Sequence, residues 1–307
     1  MKASGIILCL FTVAVFGTFS DAAPPRKLPG GWTLIWNDEF NGNSLDTTKW
    51  KPELGVIRNA GSQQTYTGRR ENIRVEKGYL VLETRFERFK NIHFNPSGKG
   101  WIQQTEYMPY TSGSVTTKDT RLFHYGRLEV RAKLPKAKGI WPAIWLLGKN
   151  QWSWPANGEI DMMENISQEP NTVYSTFHMS RDGVSLQDVS KGGTVKIPHL
   201  PDDFHLYVME WTPDAIRLMV DDKLVKSIDL GQTEYPGGAG NPFRTPFYLI
   251  LNSAVGGEWC EKAPGDGAGY PVKFLVDYVR FYQTKELYEA EKMRSSPGRL
   301  DARCASL

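Results

Sequence analysis

The chain has 307 residues, of which 40% are hydrophobic and 23% are charged, and its formal net charge is +3. No block of basic residues stands out, so the composition gives no sign of a nucleic-acid partner. Beyond the N-terminal segment no run approaches the ~18 continuous apolar residues of a membrane-spanning helix. We therefore expect neither nucleic acid nor membrane as a partner.

The first 22 residues have the pattern of a secretory signal peptide. Met1-Lys2 gives a basic start, residues 6–16 are apolar, and Ser20-Asp21-Ala22 supplies small residues at the cleavage position. A buried N-terminal strand is the alternative. The signal-peptide interpretation predicts a secreted, extracellular chain that begins after Ala22, with 307 minus 22, or 285, residues. A monomer is the default expectation.

Strand patterns dominate the mature chain in sequence order. Leu80–Thr84 and Arg127–Leu134 alternate apolar and polar residues, which indicates strands with one covered face. Ile144–Leu147 and Phe247–Leu251 lack alternation, which indicates strands covered on both faces, and Ile216–Val220 forms a short hairpin with Leu224–Val225. The pattern predicts one all-β domain over residues 24–283.

Many short strands bounded by Gly and Pro turns favour a two-sheet antiparallel β-jelly-roll sandwich. A propeller is less favoured because no blade-scale repeat is present. Residues 284–307 form a polar C-terminal tail in which Lys285–Lys292 could make a short helix. Of the cysteines in the mature chain, Cys260 and Cys304 either pair or remain free thiols.

The run GEIDMMENIS, residues 158–167, holds three carboxylates in an otherwise apolar stretch. Alternation puts Glu159 and Asp161 on one face of a strand and Glu164, at an odd offset, on the other. A β-bulge at Met162-Met163 would return Glu164 to the face of the other two acids, and bulges are frequent beside active sites. We therefore predict a bulge here and three carboxylates in one cleft.

Three interpretations of these acids are open: an exposed acidic strand, a metal site, and a glycoside hydrolase centre. The apolar neighbours argue against simple exposure, and calcium loops are usually irregular and rich in glycine. Two carboxylates roughly 5 Å apart suit a retaining mechanism in which one attacks the anomeric carbon and the other protonates the leaving oxygen. Asp161 between them would hydrogen-bond the nucleophile and separate the pKa values of the glutamates.

Tryptophans cluster immediately before the acids, as a sugar substrate would require. Trp141, Trp152 and Trp154 lie in Gly/Pro/Asn-rich loops and are candidates for a cleft wall, because loops carry binding residues. Trp145 lies within an apolar run, so it is either core or cleft.

The acid motif and its surroundings resemble glycoside hydrolase family 16. Glu159–Glu164 resembles the E-x-D-x-x-E signature in the bulged form of laminarinases, and WNDEFNG, YTSGSVTTK, YGRLEVRAKLPKAKGIWPAIWLLG, FYLILNSAVGGEW and FLVDYVRFYQ are similar to further landmarks of endo-1,3-β-glucanases and of animal β-glucan recognition proteins. The resemblance runs from about Trp36 to Gln283. It implies a jelly-roll with a long concave substrate cleft.

The resemblance also implies roles for single residues. The nucleophile falls on Glu159, the assisting aspartate on Asp161 and the acid/base on Glu164. Substrate-binding positions fall on Trp141, Trp145, His178, Asn252, Trp259, Arg85 and Asn59, with Gln64 near Asn59. Trp154 joins them as a substrate-binding candidate because of its loop position.

A structural calcium is implied on the convex side, held by Glu39, the Gly78 carbonyl and Asp277. A turn glycine and two surface acids are the equal alternative. No cofactor is expected for catalysis. Asn165 begins an N-glycosylation sequon, NIS, and we expect it to be unmodified because a glycan there would crowd the cleft.

The function predicted is a secreted, retaining endo-1,3-β-glucanase acting on laminarin-type β-1,3-glucan by double displacement, with transglycosylation as a side activity. The alternative is a non-catalytic β-1,3-glucan recognition protein. Both glutamates and the aspartate are present, which favours the enzyme. The bulged motif argues against lichenases and xyloglucan transferases, whose motif is one residue shorter.

Overall fold

A computed structural model describes residues 27–55 and 58–295 of the chain. The predicted signal peptide, residues 1–22, lies outside the described residues. The first strands are Lys27–Leu28 (β1), Trp32–Asp38 (β2), Lys51–Pro52 (β3), Gln64–Tyr66 (β4), Ile73–Glu76 (β5), Tyr79–Lys90 (β6), Tyr107–Ser112 (β7), Ser114–Thr116 (β8) and Gly126–Lys133 (β9). They are followed by Ile140–Gly148 (β10), Glu159–Glu164 (β11), Thr172–Ser180 (β12), Asp188–Lys196 (β13), His205–Trp211 (β14), Ala215–Val220 (β15), Lys223–Asp229 (β16), Phe247–Val255 (β17) and Val272–Gln283 (β18).

Helical structure is limited to short segments. Single 3-10 turns cover Trp101–Gln103, Leu200–Asp202, Leu230–Gln232, Pro236–Gly238 and Pro242–Arg244. The α-helix predicted in the tail is present and extends further than expected, from Lys285 to Ser295 (α1). It is held to the sandwich by His124, whose Nδ1 lies 2.8 Å from Glu291 Oε2. No helix in the described part of the chain is both long and apolar enough to cross a membrane.

The strands form the two sheets that the sequence predicts. One is 11-stranded and contains the path β16-β15-β14-β9-β18-β6-β7-β4, with β1, β2 and β5 beside it. The other is 7-stranded, in the order β13-β12-β11-β10-β17-β8-β3. Pairing is antiparallel except between β4 and β7. The prediction of an all-β two-sheet sandwich is therefore confirmed.

The main core lies between the two sheets. The 7-stranded sheet contributes Ile144, Leu146, Ile160, Met162, Met163, Leu249 and Leu251, and the other sheet contributes Leu128, Val130, Phe274, Val276 and Phe281. Every one of these side chains is buried, and the removal of so much apolar surface from water is the main source of a sandwich's stability.

The strand β17 is covered on both faces, as its lack of alternation predicts. Leu249 and Leu251 face the main core, whereas Tyr248 and Ile250 pack with Ala143 and Trp145 in a small cluster on the opposite face. The strand β9 keeps the predicted alternation, except that Glu129 is buried because Arg127 binds its carboxylate. The outward face of the 7-stranded sheet therefore carries its own apolar floor, and the candidate site lies on that floor.

Candidate active site

The predicted bulge is present in β11. Opposite β10, Ile144 pairs with Met163 and Trp145 pairs with Asp161, which leaves Met162 as the extra residue. Opposite β12, the register shifts in the same way between Asp161 and Glu164. Both methionines are buried in the core, and Glu159, Asp161 and Glu164 all line one cavity. The bulge thus returns the third acid to the face of the first two.

The cavity has a volume of about 660 Å³ and opens on the outward face of the 7-stranded sheet. Its floor is formed by the neighbouring strands β10, β11, β12 and β17, since each strand presents every second side chain to that face. The wall carries Trp141, Trp154 and Trp259, and the base carries the three acids. A polar base with aromatic walls can bind a sugar through hydroxyl hydrogen bonds and through its apolar C–H face.

Each glutamate accepts a hydrogen bond from an indole. Trp154 Nε1 donates to Glu159 Oε2 over 2.8 Å, and Trp141 Nε1 donates to Glu164 Oε1 over 3.0 Å. These bonds fix the carboxyl groups in place, because a short hydrogen bond from a rigid indole ring limits the rotamers that the glutamate can adopt. Both tryptophans therefore hold the acids as well as forming the cleft wall.

The imidazole of His178 lies between two carboxylates. Its Nε2 is 3.2 Å from Asp161 Oδ2, and its Nδ1 is 2.7 Å from Asp188 Oδ2. The strand register places His178 directly opposite Glu159. Burial opposes the imidazolium charge, yet the contacts with Asp161, Glu159 and Asp188 raise the pKa of His178 to about 10.

The environment raises the pKa of all three acids above their ordinary values. Burial, with the negative charge of Glu159, raises the pKa of Glu164 to about 7, while Trp141 and His178 oppose the rise. Burial and the charge of Glu164 raise the pKa of Asp161 to about 6. Burial and the charge of Asp161 raise the pKa of Glu159, and these two acids share a hydrogen bond. A protonated Glu164 is suited to act as a general acid.

The tryptophans differ in how they meet the cavity. Trp154 is 46% exposed and Trp259 is 39% exposed, so both form the rim. Trp141 packs edge-on against Trp259 at 5.2 Å between ring centroids. Trp152, also a cleft-wall candidate from its loop, instead packs edge-on against Tyr235 and is not among the cavity-lining residues. That prediction for Trp152 was wrong.

Trp145 combines both alternatives left open for it. It is only 7% exposed, yet it lines the cavity. Its Nε1 donates to Asn252 Oδ1 over 2.7 Å, and Asn252 Nδ2 in turn donates to the Tyr66 hydroxyl over 3.0 Å. The guanidinium of Arg58 lies over its ring, 4.7 Å from the centroid. Trp145 is therefore a mostly buried side chain that supports polar groups lining the cavity.

Most of the predicted substrate-binding residues come together here. Asn59, His178 and Asn252 line the cavity with the tryptophans. Arg85 is not among the residues that line the cavity: its guanidinium pairs with Glu83, a buried acid that also binds Arg74, and its contact with the sugar stays a prediction. Gln64 is buried and accepts a hydrogen bond from Val255 N, so its side chain links β4 to β17 instead of facing a sugar.

Sequence reasoning missed several residues of the site. Arg58, Tyr66, Thr176 and Ser190 line the cavity, and Asp188 contacts His178 beside it. Arg58 is held by paired hydrogen bonds to Glu53. Arg58 directly precedes Asn59, so its place in the chain was a usable signal. Nothing in the local pattern indicates Asp188, because it reaches the site through pairing of β12 with β13.

A metal ion has two candidate positions. Donor atoms of Glu159, Asp161 and His178 lie within 4.8 Å of one another, the one such group of three among residues 27–55 and 58–295. We assign them to proton chemistry instead, because both ring nitrogens of His178 already face carboxylates, Asp188 and Asp161, as N–H donors do.

The calcium ligands implied by the resemblance are engaged elsewhere. Both oxygens of Glu39 accept from Arg280, at 2.9 and 2.7 Å, and Asp277 Oδ2 accepts from Arg131 over 2.6 Å. Gly78 lies in the turn between β5 and β6 with a φ of +75°. Two arginines already neutralise the two carboxylates, so this arrangement does not fit a calcium ion.

Cys260 is buried, with Sγ 3.5 Å from the Ile140 carbonyl oxygen. Its predicted alternative partner, Cys304, lies outside the described residues, and the pairing stays open. Asn165 is also buried, and its Nδ2 donates to the carbonyls of Glu169, Pro170 and Thr172. An amide enclosed in this way supports the expectation that Asn165 carries no glycan.

Comparison with known proteins places this geometry in a family. The family described as Glycosyl hydrolases family 16 matches residues 60–280. A solved structure from work on endo-acting O-glycanases, expressed by prominent members of the human gut microbiota to initiate mucin breakdown, is 72% identical. It covers 88% of this chain and 97% of its own, with a TM-score of 0.86.

More distant relatives have other described activities. The β-glucanase of Rhodothermus marinus is 38% identical over 87% of this chain and 88% of its own length. A crystal structure of the laminarinase from the same organism is 36% identical, with a TM-score of 0.69 over 82% of this chain and 97% of its own. A β-1,3-glucan-binding protein of Penaeus monodon is 36% identical over 48% of this chain and 47% of its own length.

Proposed function

The chain belongs to glycosyl hydrolase family 16 and is a glycoside hydrolase, and from that membership we propose that it cleaves internal bonds of a β-linked glycan with retention of configuration. The observation that carries the proposal is the bulge at Met162, which puts Glu159, Asp161 and Glu164 on one cavity floor. A regular strand with the same residue order would turn Glu164 away from Glu159.

The first half-reaction forms a glycosyl-enzyme. The Glu159 carboxylate attacks the anomeric carbon while Glu164 gives its proton to the departing glycosidic oxygen, and the aglycone part leaves as an alcohol. In the second half-reaction Glu164, now a carboxylate, takes a proton from water, whose oxygen attacks the anomeric carbon and releases Glu159. Two inversions give net retention. A sugar hydroxyl in place of water gives transglycosylation.

Asp161 and His178 support the nucleophile. Asp161 shares a hydrogen bond with Glu159, so the two acids can hold one proton between them, and Glu159 attacks as a carboxylate once that proton has left it. The imidazolium of His178 compensates the negative charge that this pair carries before the attack and regains when the intermediate is hydrolysed. The indole of Trp154 holds Glu159 Oε2, which leaves the other carboxylate oxygen for attack.

One substrate candidate is the β-1,3-glucan predicted from the sequence. It is supported by the similarity to the Rhodothermus marinus laminarinase and β-glucanase. The open cleft with tryptophans on its rim also suits an internal segment of a long glucan. Secretion, predicted from residues 1–22, would bring the enzyme to a polysaccharide outside the cell.

The second candidate is an O-glycan of the mucin type, and a specific observation favours it. The structure from the endo-acting O-glycanase work is 72% identical to this chain, about twice the identity of the glucanase relatives. A glycan of that class is therefore the stronger of the two candidates. The non-catalytic recognition protein is disfavoured, since a binding module has no need of two glutamates with raised pKa values.

A substrate panel tests both the activity and the choice of substrate. Laminarin, lichenan, agarose and a mucin rich in O-glycans are each incubated with the wild type, Glu159→Gln and Glu164→Gln, and products are sized by mass spectrometry. We expect oligosaccharides from the mucin, fewer or none from laminarin, and none from either variant. Release from laminarin alone would establish the glucanase instead. Wild-type rates for either variant would refute the mechanism.

A further inference from the structure

His178 is oriented by a residue that lies outside the cavity lining. Asp188 is the first residue of β13, the edge strand, and its Oδ2 lies 2.7 Å from His178 Nδ1. The other ring nitrogen, Nε2, lies 3.2 Å from Asp161 Oδ2. The ring thus bridges the edge strand and the bulged strand, with the assisting aspartate at one end and Asp188 at the other.

The contact at Asp161 depends on how the ring is turned. Asp161 is 2% exposed, and its Oδ2 has no well-aligned hydrogen-bond donor, although the His178 charge lies 3.2 Å away. The bond at Nδ1 is short, so it restrains rotation of the imidazole about its χ2 angle. Without that restraint Nε2 could move away from Asp161 Oδ2, and no other hydrogen-bond donor would take its place.

Two carboxylates also fix the charge of the ring. A neutral imidazole has one N–H, so it can face only one carboxylate as a donor, whereas an imidazolium faces both. Glu159 and Asp161 act on it from β11, Asp188 acts from β13, and the Trp154 ring lies 6.4 Å away. The net negative surroundings favour the doubly protonated form.

We propose that Asp188 is a positioning residue for the reaction, which acts through His178 to hold a positive charge beside Asp161 and Glu159 and so favours loss of the proton that this pair shares, which leaves Glu159 as a carboxylate. The proposal rests on the double displacement proposed above. It assigns a role to a side chain that does not touch the sugar. It also explains why an edge strand opens with an acid at the point where it passes the histidine.

Loss of the Asp188 charge has a defined kinetic consequence. With an amide at this position the ring loses its orientation and part of its preference for the charged form. The shared proton then stays on Glu159 to higher pH, so the acid limb of the pH profile moves up. Carboxylates that orient a metal-bound histidine typically contribute about 10- to 100-fold to activity, and we take the same range for Asp188. Substrate binding, which uses the tryptophan walls, changes little.

The variants are Asp188→Asn, which removes the charge, and Asp188→Glu, which keeps it. Asp221→Asn is the matched control, because Asp221 Oδ2 lies 2.8 Å from His205 Nδ1 outside the cavity. On the substrate that the wild type cleaves, we expect kcat for Asp188→Asn to fall about 10- to 100-fold with KM within about twofold. Asp188→Glu recovers part of the loss, and Asp221→Asn keeps the wild-type kcat.

A double-mutant cycle separates positioning from a merely structural effect. In a His178→Gln background, Asp188→Asn should cost nothing further, because Asp188 acts only through the ring. An equal loss in both backgrounds would overturn the proposal, as would a wild-type kcat and pH profile for Asp188→Asn. If Glu159→Gln is inactive in the same assays, such a result removes only the role of Asp188. An active Glu159→Gln would remove the mechanism itself.

A measurement on the wild type keeps the inference testable if a variant does not fold. Nitrogen-15 NMR of the His178 imidazole at pH 7 reports the protonation of each ring nitrogen. We expect both nitrogens protonated, and a neutral tautomer with a bare Nδ1 would overturn the proposal.

Discussion

Replacing Trp141 by phenylalanine removes the hydrogen bond that Trp141 Nε1 donates to Glu164 Oε1 over 3.0 Å. This bond favours the carboxylate and therefore opposes the rise in the pKa of Glu164, which burial and Glu159 bring to about 7. Without the bond the pKa of Glu164 should rise further. Because Glu164 must be protonated to start the reaction, the basic limb of the pH profile should move to higher pH.

The size of the shift follows from the strength of the bond. A hydrogen bond to a charged group contributes about 1.5–3 kcal/mol when it is fully buried. Glu164 is only partly enclosed by the open cleft, and water replaces part of the lost bond, so we take about 1 kcal/mol. At 1.36 kcal/mol per pH unit this corresponds to about 0.7 units.

The assay is the pH dependence of kcat/KM, which reports the groups of the free enzyme. Trp154→Phe is the matched control, because Trp154 Nε1 donates to Glu159 Oε2 over 2.8 Å. Both variants lose sugar contacts, so both rates fall, but only Trp141→Phe should move the basic limb. An unmoved or lowered basic limb in a folded Trp141→Phe would refute the assignment of that limb to Glu164.

Three further predictions concern stability and metal. The pKa of Glu164 rises from 4.5 to about 7 on folding, so its neutral form stabilises the folded state, and this stabilisation is lost as the pH rises through 7. The free energy of unfolding of Glu164→Gln, measured with urea, should therefore increase relative to the wild type by up to about 3 kcal/mol between pH 4.5 and 8. Asn165→Asp removes the amide group that donates to three carbonyls, so the free energy of unfolding at pH 7 should fall by about 2–3 kcal/mol by the same method. An unchanged urea midpoint would contradict a structural role for this buried amide. Because Arg280 holds Glu39 and Arg131 holds Asp277, EDTA should leave the Tm unchanged within about 1 °C, and a large drop would restore the calcium site.

The fold followed from local patterns that tertiary contacts reinforce. Alternation in β9 and its absence in β17 reported how many faces of each strand are covered. The bulge was also predictable, because three acids in an apolar strand make sense on one face only. Parity placed the bulge at Met162-Met163, and the structure shows that Met162 is the extra residue.

Predictions failed where a side chain depends on partners distant in sequence. Trp152 packs against Tyr235, which is brought near by a loop far along the chain. Asp188 reaches His178 through strand pairing that no local pattern encodes. The sequence of one strand was enough to locate the acids. The residues that set their charges could be identified only from the pairing of strands in the sheet.

The anomeric configuration of the first product decides whether Glu159 and Glu164 act by double displacement. Proton NMR during hydrolysis of the preferred glycan, read before mutarotation, distinguishes the anomers. Double displacement predicts that the β-anomer appears first, because two inversions restore the starting configuration. Initial appearance of the α-anomer would contradict a covalent intermediate on Glu159.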